Sequence, residues 1–204
     1  MKKEVMYNIK FTDLIKKNSN PNKSWIFMDH HPVMLNPCEE IIGNEFSKED
    51  IYYLKRMVNY IEISFLDKAK KYNIRPGVAI AANQVGWNKR ATYIHFKDSN
   101  QIEHQYLLIN PKITHRSMNK AFLSTGEGCL SVHPDQPGYV IRDQEITVQG
   151  YNLVSESYIE KTFTGFIAMC VQHELDHLDG RLYYHRINKD DKFKKEALWE
   201  EIKR

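Results

Sequence analysis

The chain has 204 residues, of which 42% are hydrophobic and 27% are charged, so it is long enough to bury a core and has the balance of an ordinary globular protein. Its formal net charge of +3 is too small to indicate a nucleic-acid partner, although it does not oppose a weak contact with an RNA-rich surface. The 3 cysteines make no disulfide framework and predict a reducing compartment, the cytoplasm. The first residues lack the apolar run of a signal peptide, and no stretch approaches the length of a membrane span, so we expect neither.

The first part of the chain predicts a leader followed by one long helix. Residues 1–46 predict an irregular leader with short elements. From Ser47, which with Asp50 resembles a capping box, apolar side chains recur at three- and four-residue steps to about Tyr72. This pattern predicts an amphipathic helix that packs one face on a core.

The remainder predicts strands, a buried helix and a charged terminal helix. The segments with strand composition are 78–83, 91–96, 106–110, 139–142, 145–151 and 157–163. A second helix is expected to begin near Thr164 and to end at Gly180, and its apolar first half predicts burial. Residues 188–204 predict a weakly amphipathic terminal helix. This order of elements favours a single α+β domain over residues 1–204 rather than an alternating parallel sheet.

The second helix carries the sequence His-Glu-x-x-His, with histidines at positions 173 and 177. Residues four apart lie on one helix face, so His173 and His177 can bind one metal ion, and Glu174 beside them can act on water at that ion. The alternative is a chance match in an ordinary helix. Burial favours the metal, because buried histidines need partners. Two histidines still leave a hydrolytic site one protein ligand short.

Two other segments can complete such a site. In residues 127–131, a thiolate at Cys129 would make a Cys-His-His site, and the flanking glycines let backbone approach a ligand closely. Cys129 can equally be a small core residue between a turn and a strand. In residues 77–84, the Gln84 amide could donate to a developing oxyanion, or the segment could be a tightly packed strand that enters a loop.

Together, in this order, the three segments resemble the peptide deformylase family. Its motifs are Gly-x-Gly-x-Ala-Ala-x-Gln, Glu-Gly-Cys-Leu-Ser and Gln-His-Glu-x-Asp-His, and the second and third are matched fully at 127–131 and 172–177. The first is matched except at Ala79, where the family has glycine, and this methyl group predicts altered peptide affinity rather than lost chemistry. The resemblance spans about residues 77–180, and the long leader helix and the loop 132–138 are more similar to the longer, Gram-positive-type branch.

The resemblance implies antiparallel β-sheets packed around a central metal-binding helix, with a long N-terminal helix and a C-terminal helix. It implies one divalent metal ion held by Cys129, His173 and His177, with a fourth position open to water. The ion expected in the cell is Fe2+, and Zn2+, Ni2+ or Co2+ can occupy such a site in preparations. A thiolate with two imidazoles suits several of these ions, so the ligand set does not choose among them.

The implied reaction removes the N-formyl group from the first methionine of newly made polypeptides and releases formate. Glu174 would move the proton from the attacking water to the leaving amine, while the Gln84 amide and the Leu130 backbone N–H would hold the oxyanion. The positions implied for substrate binding are Val78, Ala79, Glu127, Gly128, Phe166, Met169 and Cys170. Arg142 either contacts substrate or stabilises structure, and both hypotheses stay open.

The partner implied is the nascent formylmethionyl polypeptide, and the charged terminal segment suggests a weak contact with the ribosome surface. Neither membrane binding nor specific nucleic-acid binding is expected. Cys170 lies three residues before His173 and is an alternative ligand, which we disfavour because the family has an apolar pocket-wall residue there.

Two other functions remain as alternatives. A zinc peptidase would also use Glu174, but such enzymes usually take a third histidine or a distal glutamate, and His185 is too close to the motif for that role. A binding module that kept only the fold would be expected to lose Glu174 or a ligand, and all are present.

Overall fold

The computed structural model describes residues 7–16 and 19–203. Its α-helices are α1 (Pro32–Leu35), α2 (Lys48–Phe65) and α3 (Gly165–Leu178). Single 3-10 turns lie at Phe11–Asp13, Lys23–Trp25, Ala69–Tyr72, Ala82–Val85 and Tyr183–Arg186. The strands are β1 (Ala79–Ala81), β2 (Ala91–Lys97), β3 (Glu103–Arg116), β4 (Lys120–Leu123), β5 (Arg142–Asp143), β6 (Glu145–Asn152), β7 (Ser157–Thr164) and β8 (Glu200–Ile202).

Helix α2 begins where the sequence predicts and ends earlier. The Ser47 hydroxyl accepts from the Asp50 N–H at 3.1 Å, and the Asp50 carboxylate accepts from the Ser47 N–H at 2.9 Å, which confirms the capping box. The helix was expected to reach about Tyr72, but its last residue is Phe65. Asp67 takes a left-handed conformation with φ of 54°, which breaks the helical ladder before a separate 3-10 turn.

The strands form two sheets. The larger is antiparallel throughout, with the order β1-β2-β3-β6-β7, and the smaller has the order β5-β4-β8, in which β4 and β8 are parallel. Strand β1 is shorter than predicted, because residue 82 starts a 3-10 turn and the Gln84 side chain accepts from the Ala81 N–H at 2.8 Å. Of the predicted strand 139–142 only Arg142 is extended in the sheet, and β4 was not predicted.

The terminal helix predicted over residues 188–204 is not formed by the residues described there. They make turns and then β8. Ile202 is buried opposite Leu123, whereas Phe193 packs edge-on against Tyr139 at 5.3 Å and Leu198 is exposed. These apolar side chains therefore have separate partners rather than one shared helical face.

The larger sheet lies between α2 and α3. One buried cluster joins α2 to one face of the sheet and includes Ile80, and a second cluster joins α3 to the other face and includes Ala79. Strand β1 therefore alternates between the two layers, as the period of two requires. The fold class, α+β with antiparallel sheets around a central helix, is confirmed. In the part of the chain that the structure describes, no helix has both the length and the apolar character to cross a membrane.

Candidate functional site

Helix α3 and the segment before Ser131 bring three ligand-bearing side chains together. The ligand atoms of Cys129, His173 and His177 all lie within 4.8 Å of one another, and the Cys129 sulfur is 3.2 Å from Nε2 of His177. The two histidines come from consecutive turns of one helix, whereas Cys129 arrives from a loop 48 residues before His177. A soft thiolate with two imidazoles at this separation fits a divalent transition-metal ion.

The pKa values of the two histidines shift in opposite directions. Burial lowers the pKa of His173, but hydrogen bonds with Cys129 and Glu127 outweigh burial and raise it well above its ordinary value. Burial and the charge of His173 hold the pKa of His177 well below its ordinary value.

A buried ion-pair network orients His173 from behind. Glu127 accepts from Nδ1 of His173 at 2.8 Å, which directs the other ring nitrogen towards Cys129. Arg142 donates to both Glu127 oxygens at 2.5 and 2.8 Å and to Asp176 at 2.8 Å, and Arg186 also binds Asp176. Burial raises the pKa of Glu127, but the charges of Arg142 and His173 lower it to about 2. Both side chains of the Arg142–Glu127 pair are thus ionised and engaged within the protein.

Glu174 lies beside these residues with one oxygen free. Its Oε2 is buried and has no hydrogen-bond partner among the described residues. Burial raises the pKa of Glu174 to about 7. A buried carboxylate of this kind in a cavity wall can accept and return a proton near neutral pH.

The Gln84 amide is held in one orientation. Its oxygen is occupied by the Ala81 N–H at 2.8 Å, so its NH2 group points the other way, to the Ser131 hydroxyl at 3.0 Å and the Cys129 sulfur at 3.5 Å. Leu130, the residue after Cys129, packs against Gly77. A Cβ at position 77 would lie 3.0 Å from the Leu130 side chain. A side chain at position 77 would therefore require the Leu130 side chain to shift.

These side chains surround one cavity of about 160 Å³. Gln84, Cys129, Leu130, His173 and Glu174 lie in its wall, whereas His177 lies behind the wall. All seven positions suggested for substrate binding are in the wall as well: Val78, Ala79, Glu127, Gly128, Phe166, Met169 and Cys170. The Glu127 carboxylate is used by Arg142 and His173, which leaves its backbone for any ligand.

The structure adds wall residues that the sequence did not assign to the site, namely Arg75, Pro76, Leu123 and Thr125. Leu123 belongs to β4, a strand without a clear sequence signal, whereas Arg75 and Pro76 directly precede the first motif. Arg142 is absent from the wall, since it lies in the network behind it. Ala79 is part of the extended strand β1, so its methyl group imposes no unusual backbone conformation.

A cysteine and two histidines close together at a partly apolar cavity, with a glutamate oxygen beside them that has no partner among the described residues, are the arrangement that a metal-dependent hydrolase with one ion needs. The polypeptide deformylase family model matches residues 23–193, and the chain belongs to this family of enzymes. The resemblance found in the three sequence motifs is thereby confirmed.

The similarity to known peptide deformylases extends over most of the chain. A peptide deformylase of Ureaplasma parvum serovar 3 is 56% identical over 199 residues, which cover 98% of this chain and 100% of that protein. The peptide deformylase 2 of Geobacillus stearothermophilus is 40% identical over 169 residues, 82% of this chain and 91% of that protein, which is consistent with the Gram-positive-type branch. A class I type b peptide deformylase from Acinetobacter baumannii, solved with Met-Ala-Ser bound, is 28% identical with a TM-score of 0.62, covering 79% of this chain and 96% of that one.

Proposed function

We propose that this enzyme hydrolyses the N-formyl group of the N-terminal formylmethionine on newly made polypeptides and releases formate. The observation that carries the proposal is the grouping of Cys129, His173 and His177 within 4.8 Å at a cavity whose wall also holds Glu174 and the Gln84 amide. The Acinetobacter relative binds Met-Ala-Ser, a tripeptide that begins with methionine, as the product of such a reaction does.

Cys129, His173 and His177 would hold one divalent ion, which we take to be Fe2+ in the cell, with Zn2+, Ni2+ or Co2+ able to bind in preparations. Such an ion supplies Lewis acidity, because it lowers the pKa of water and polarises a carbonyl. Glu127 keeps the His173 ring in the orientation that this binding needs, since it accepts from Nδ1.

Glu174 is assigned the proton transfers. Its free Oε2 takes a proton from the water that attacks the formyl carbon and then delivers it to the nitrogen of the leaving amine. The oxyanion that forms between these steps is stabilised by the Gln84 NH2 group and the Leu130 backbone N–H. Glu174 Oε2 has no other partner among the described residues, whereas the Gln84 NH2 group would have to turn part of its donor capacity from Ser131 and Cys129 to the oxyanion.

The peptide is assigned to the open edge of β1. In the described sheet β1 pairs only with β2, so an extended peptide can bind along the other edge, past Val78 and Ala79, with the backbone of Glu127 and Gly128 opposite. The methionine side chain would enter the apolar part of the wall, formed by Phe166, Met169 and Cys170. Recognition through backbone suits an enzyme that accepts many sequences.

The function is tested with formyl-Met-Ala-Ser and its unformylated twin, using protein purified without oxygen and loaded with one metal. Formate release from the formylated peptide alone is the expected result. Absence of formate from protein with one equivalent of bound metal would overturn the proposal, and cleavage of the unformylated peptide would favour a zinc peptidase.

We expect Gln84→Leu to fold and to lose about 10²–10³ in kcat, because one donor to the oxyanion is removed. The measurement is the rate of formate release at saturating peptide, with an unfolding curve to show that the variant folds. Gln149→Leu changes an exposed glutamine on β6 and is the matched control with normal turnover. Near-normal kcat in Gln84→Leu would contradict the role given to this amide.

We also propose a domain organisation, a location and partners for the enzyme. We assign residues 1–204 to a single catalytic domain that works in the cytoplasm on nascent chains, without a membrane or a specific nucleic-acid ligand. Cys38, Cys129 and Cys170 form no disulfide in the structure, which supports a reducing compartment. A weak ribosome contact through the charged segment 188–203 stays a prediction.

A further inference from the structure

Arg75 lies in the cavity wall outside the three motifs and joins the two sides of the cavity. Its Nη2 is 2.7 and 2.9 Å from the Asp135 oxygens, and its Nη1 donates to the Val132 carbonyl at 3.1 Å. Its own carbonyl accepts from the Tyr60 hydroxyl of α2 at 3.1 Å. The guanidinium thus links the segment before β1 to the loop 132–138. We call Arg75 and Asp135 the rim pair.

The rim pair lies close to the backbone of Gly128, the residue before Cys129. A Cβ at Gly128 would be 2.9 Å from Nη2 of Arg75 and 3.7 Å from the Asp135 oxygens, and Gly128 directly precedes Cys129. The side chains of Arg75 and Asp135 are 38% and 49% exposed, so both can be reached from solvent. Arg75 lies in the same cavity wall as Val78 and Gly128 and holds Asp135 at 2.7 Å. On the proposed track the peptide would pass between Val78 and Gly128, so we expect its residues just after methionine to come near this pair.

We propose that the rim pair sets the charge preference of the enzyme for the residues that directly follow methionine, and that the pairing makes it tolerant of either sign. This inference rests on the proposed function. A paired guanidinium and carboxylate present little net charge to a neighbouring side chain, whereas either one alone attracts the opposite sign. Nascent chains carry every type of side chain after methionine, so a neutral rim suits them.

The test is kcat/KM for amidated peptides formyl-Met-Xaa-Ala and formyl-Met-Ala-Xaa, in which Xaa is Glu, Gln or Lys. We expect a Glu-to-Lys ratio near one for the wild type. Asp135→Asn leaves Arg75 unpaired and should favour Glu by about two- to fivefold at one or both positions, and Arg75→Gln should favour Lys by a similar factor. The double variant should return the ratio towards that of the wild type, and Arg75→Lys should keep it.

Two controls distinguish an electrostatic effect of the rim pair on substrate preference from a structural effect of the substitutions: high salt and substitution of a second ion pair. The preferences of the single variants should shrink at 1 M salt, where the screening length is about 3 Å. Lys89 and Glu39 form a similar exposed pair at 2.7 Å, and neither lies in the cavity wall, so Lys89→Gln and Glu39→Gln should leave the ratio unchanged.

An unchanged Glu-to-Lys ratio in both Asp135→Asn and Arg75→Gln would overturn the inference while leaving the deformylase activity in place. Wild-type protein that releases no formate from any of these peptides would overturn the proposed function as well. If Arg75→Gln does not fold, Asp135→Asn decides alone, because its side chain is half-exposed and the change keeps its size.

Discussion

We expect Glu174→Gln to lower the rate of formate release by at least about 10²–10⁴, because the amide cannot accept and return the proton that the carboxylate moves. The change keeps the shape of a side chain that is 4% exposed, so the variant should fold. The loss should appear in kcat, since Glu174 is given no part in holding the peptide. The measurement is steady-state formate release from formyl-Met-Ala-Ser.

Metal content distinguishes this role from ligation. Glu174→Gln should retain one equivalent of metal, because the ligands assigned are Cys129, His173 and His177. Glu160→Gln changes an exposed residue on β7 and serves as the control with normal turnover. A turnover within tenfold of the wild type in Glu174→Gln would disprove the assignment, and loss of the metal would make Glu174 a ligand instead.

The second large effect is expected on stability. Arg142→Met should lower the free energy of unfolding of the metal-free protein by about 3–5 kcal/mol, because the buried Glu127 carboxylate would lose both hydrogen bonds from the guanidinium and keep only His173 as a partner. Asp176 keeps Arg186 as a partner, so most of the loss falls on Glu127. Urea unfolding in the presence of a chelator measures this difference without a contribution from metal binding.

Arg116→Met is the matched control. Arg116 pairs with Asp143 at 2.7 Å, but its side chain is 52% exposed and Asp143 keeps Lys120 at 2.6 Å. An exposed pair of this kind contributes about 0–1 kcal/mol. If Arg142→Met costs no more than Arg116→Met, the buried network does not stabilise the fold as we describe.

The elements that the sequence predicts well are those with a strong local pattern. The cap at Ser47, the body of α2 and the end of α3 near Gly180 follow from residues within one or two turns. Helix α3 also begins after Thr164 as predicted, although the Thr164 side chain makes no capping hydrogen bond. Strand β4 was not predicted, because it is extended through its pairing with β5 and β8. The predicted end of α2 was wrong, because the helix stops before Asp67, which has a left-handed conformation. Pairing between distant segments leaves little trace in a short window of sequence.

In the site, too, the sequence predicts what depends on local geometry and does not predict contacts between distant segments. His173 and His177 share a face because helix geometry is local, so their pairing follows from spacing alone. The place of Cys129 beside them came from a resemblance, since a separation of 48 residues from His177 has no geometric meaning by itself. Arg75 was not assigned to the site, because nothing in its neighbours in sequence shows that it meets Asp135.

By itself, the sequence determined the helix that carries the two histidines, the α+β class and the family to which the three motifs belong. Tertiary structure alone decided that the Glu127 carboxylate supports His173 rather than facing the cavity, that Arg142 lies behind the site, and that residues 188–203 end in β8 instead of a helix. Periodicity and capping act within a few residues, whereas the partner of a buried charge or an exposed apolar face depends on how distant segments pack.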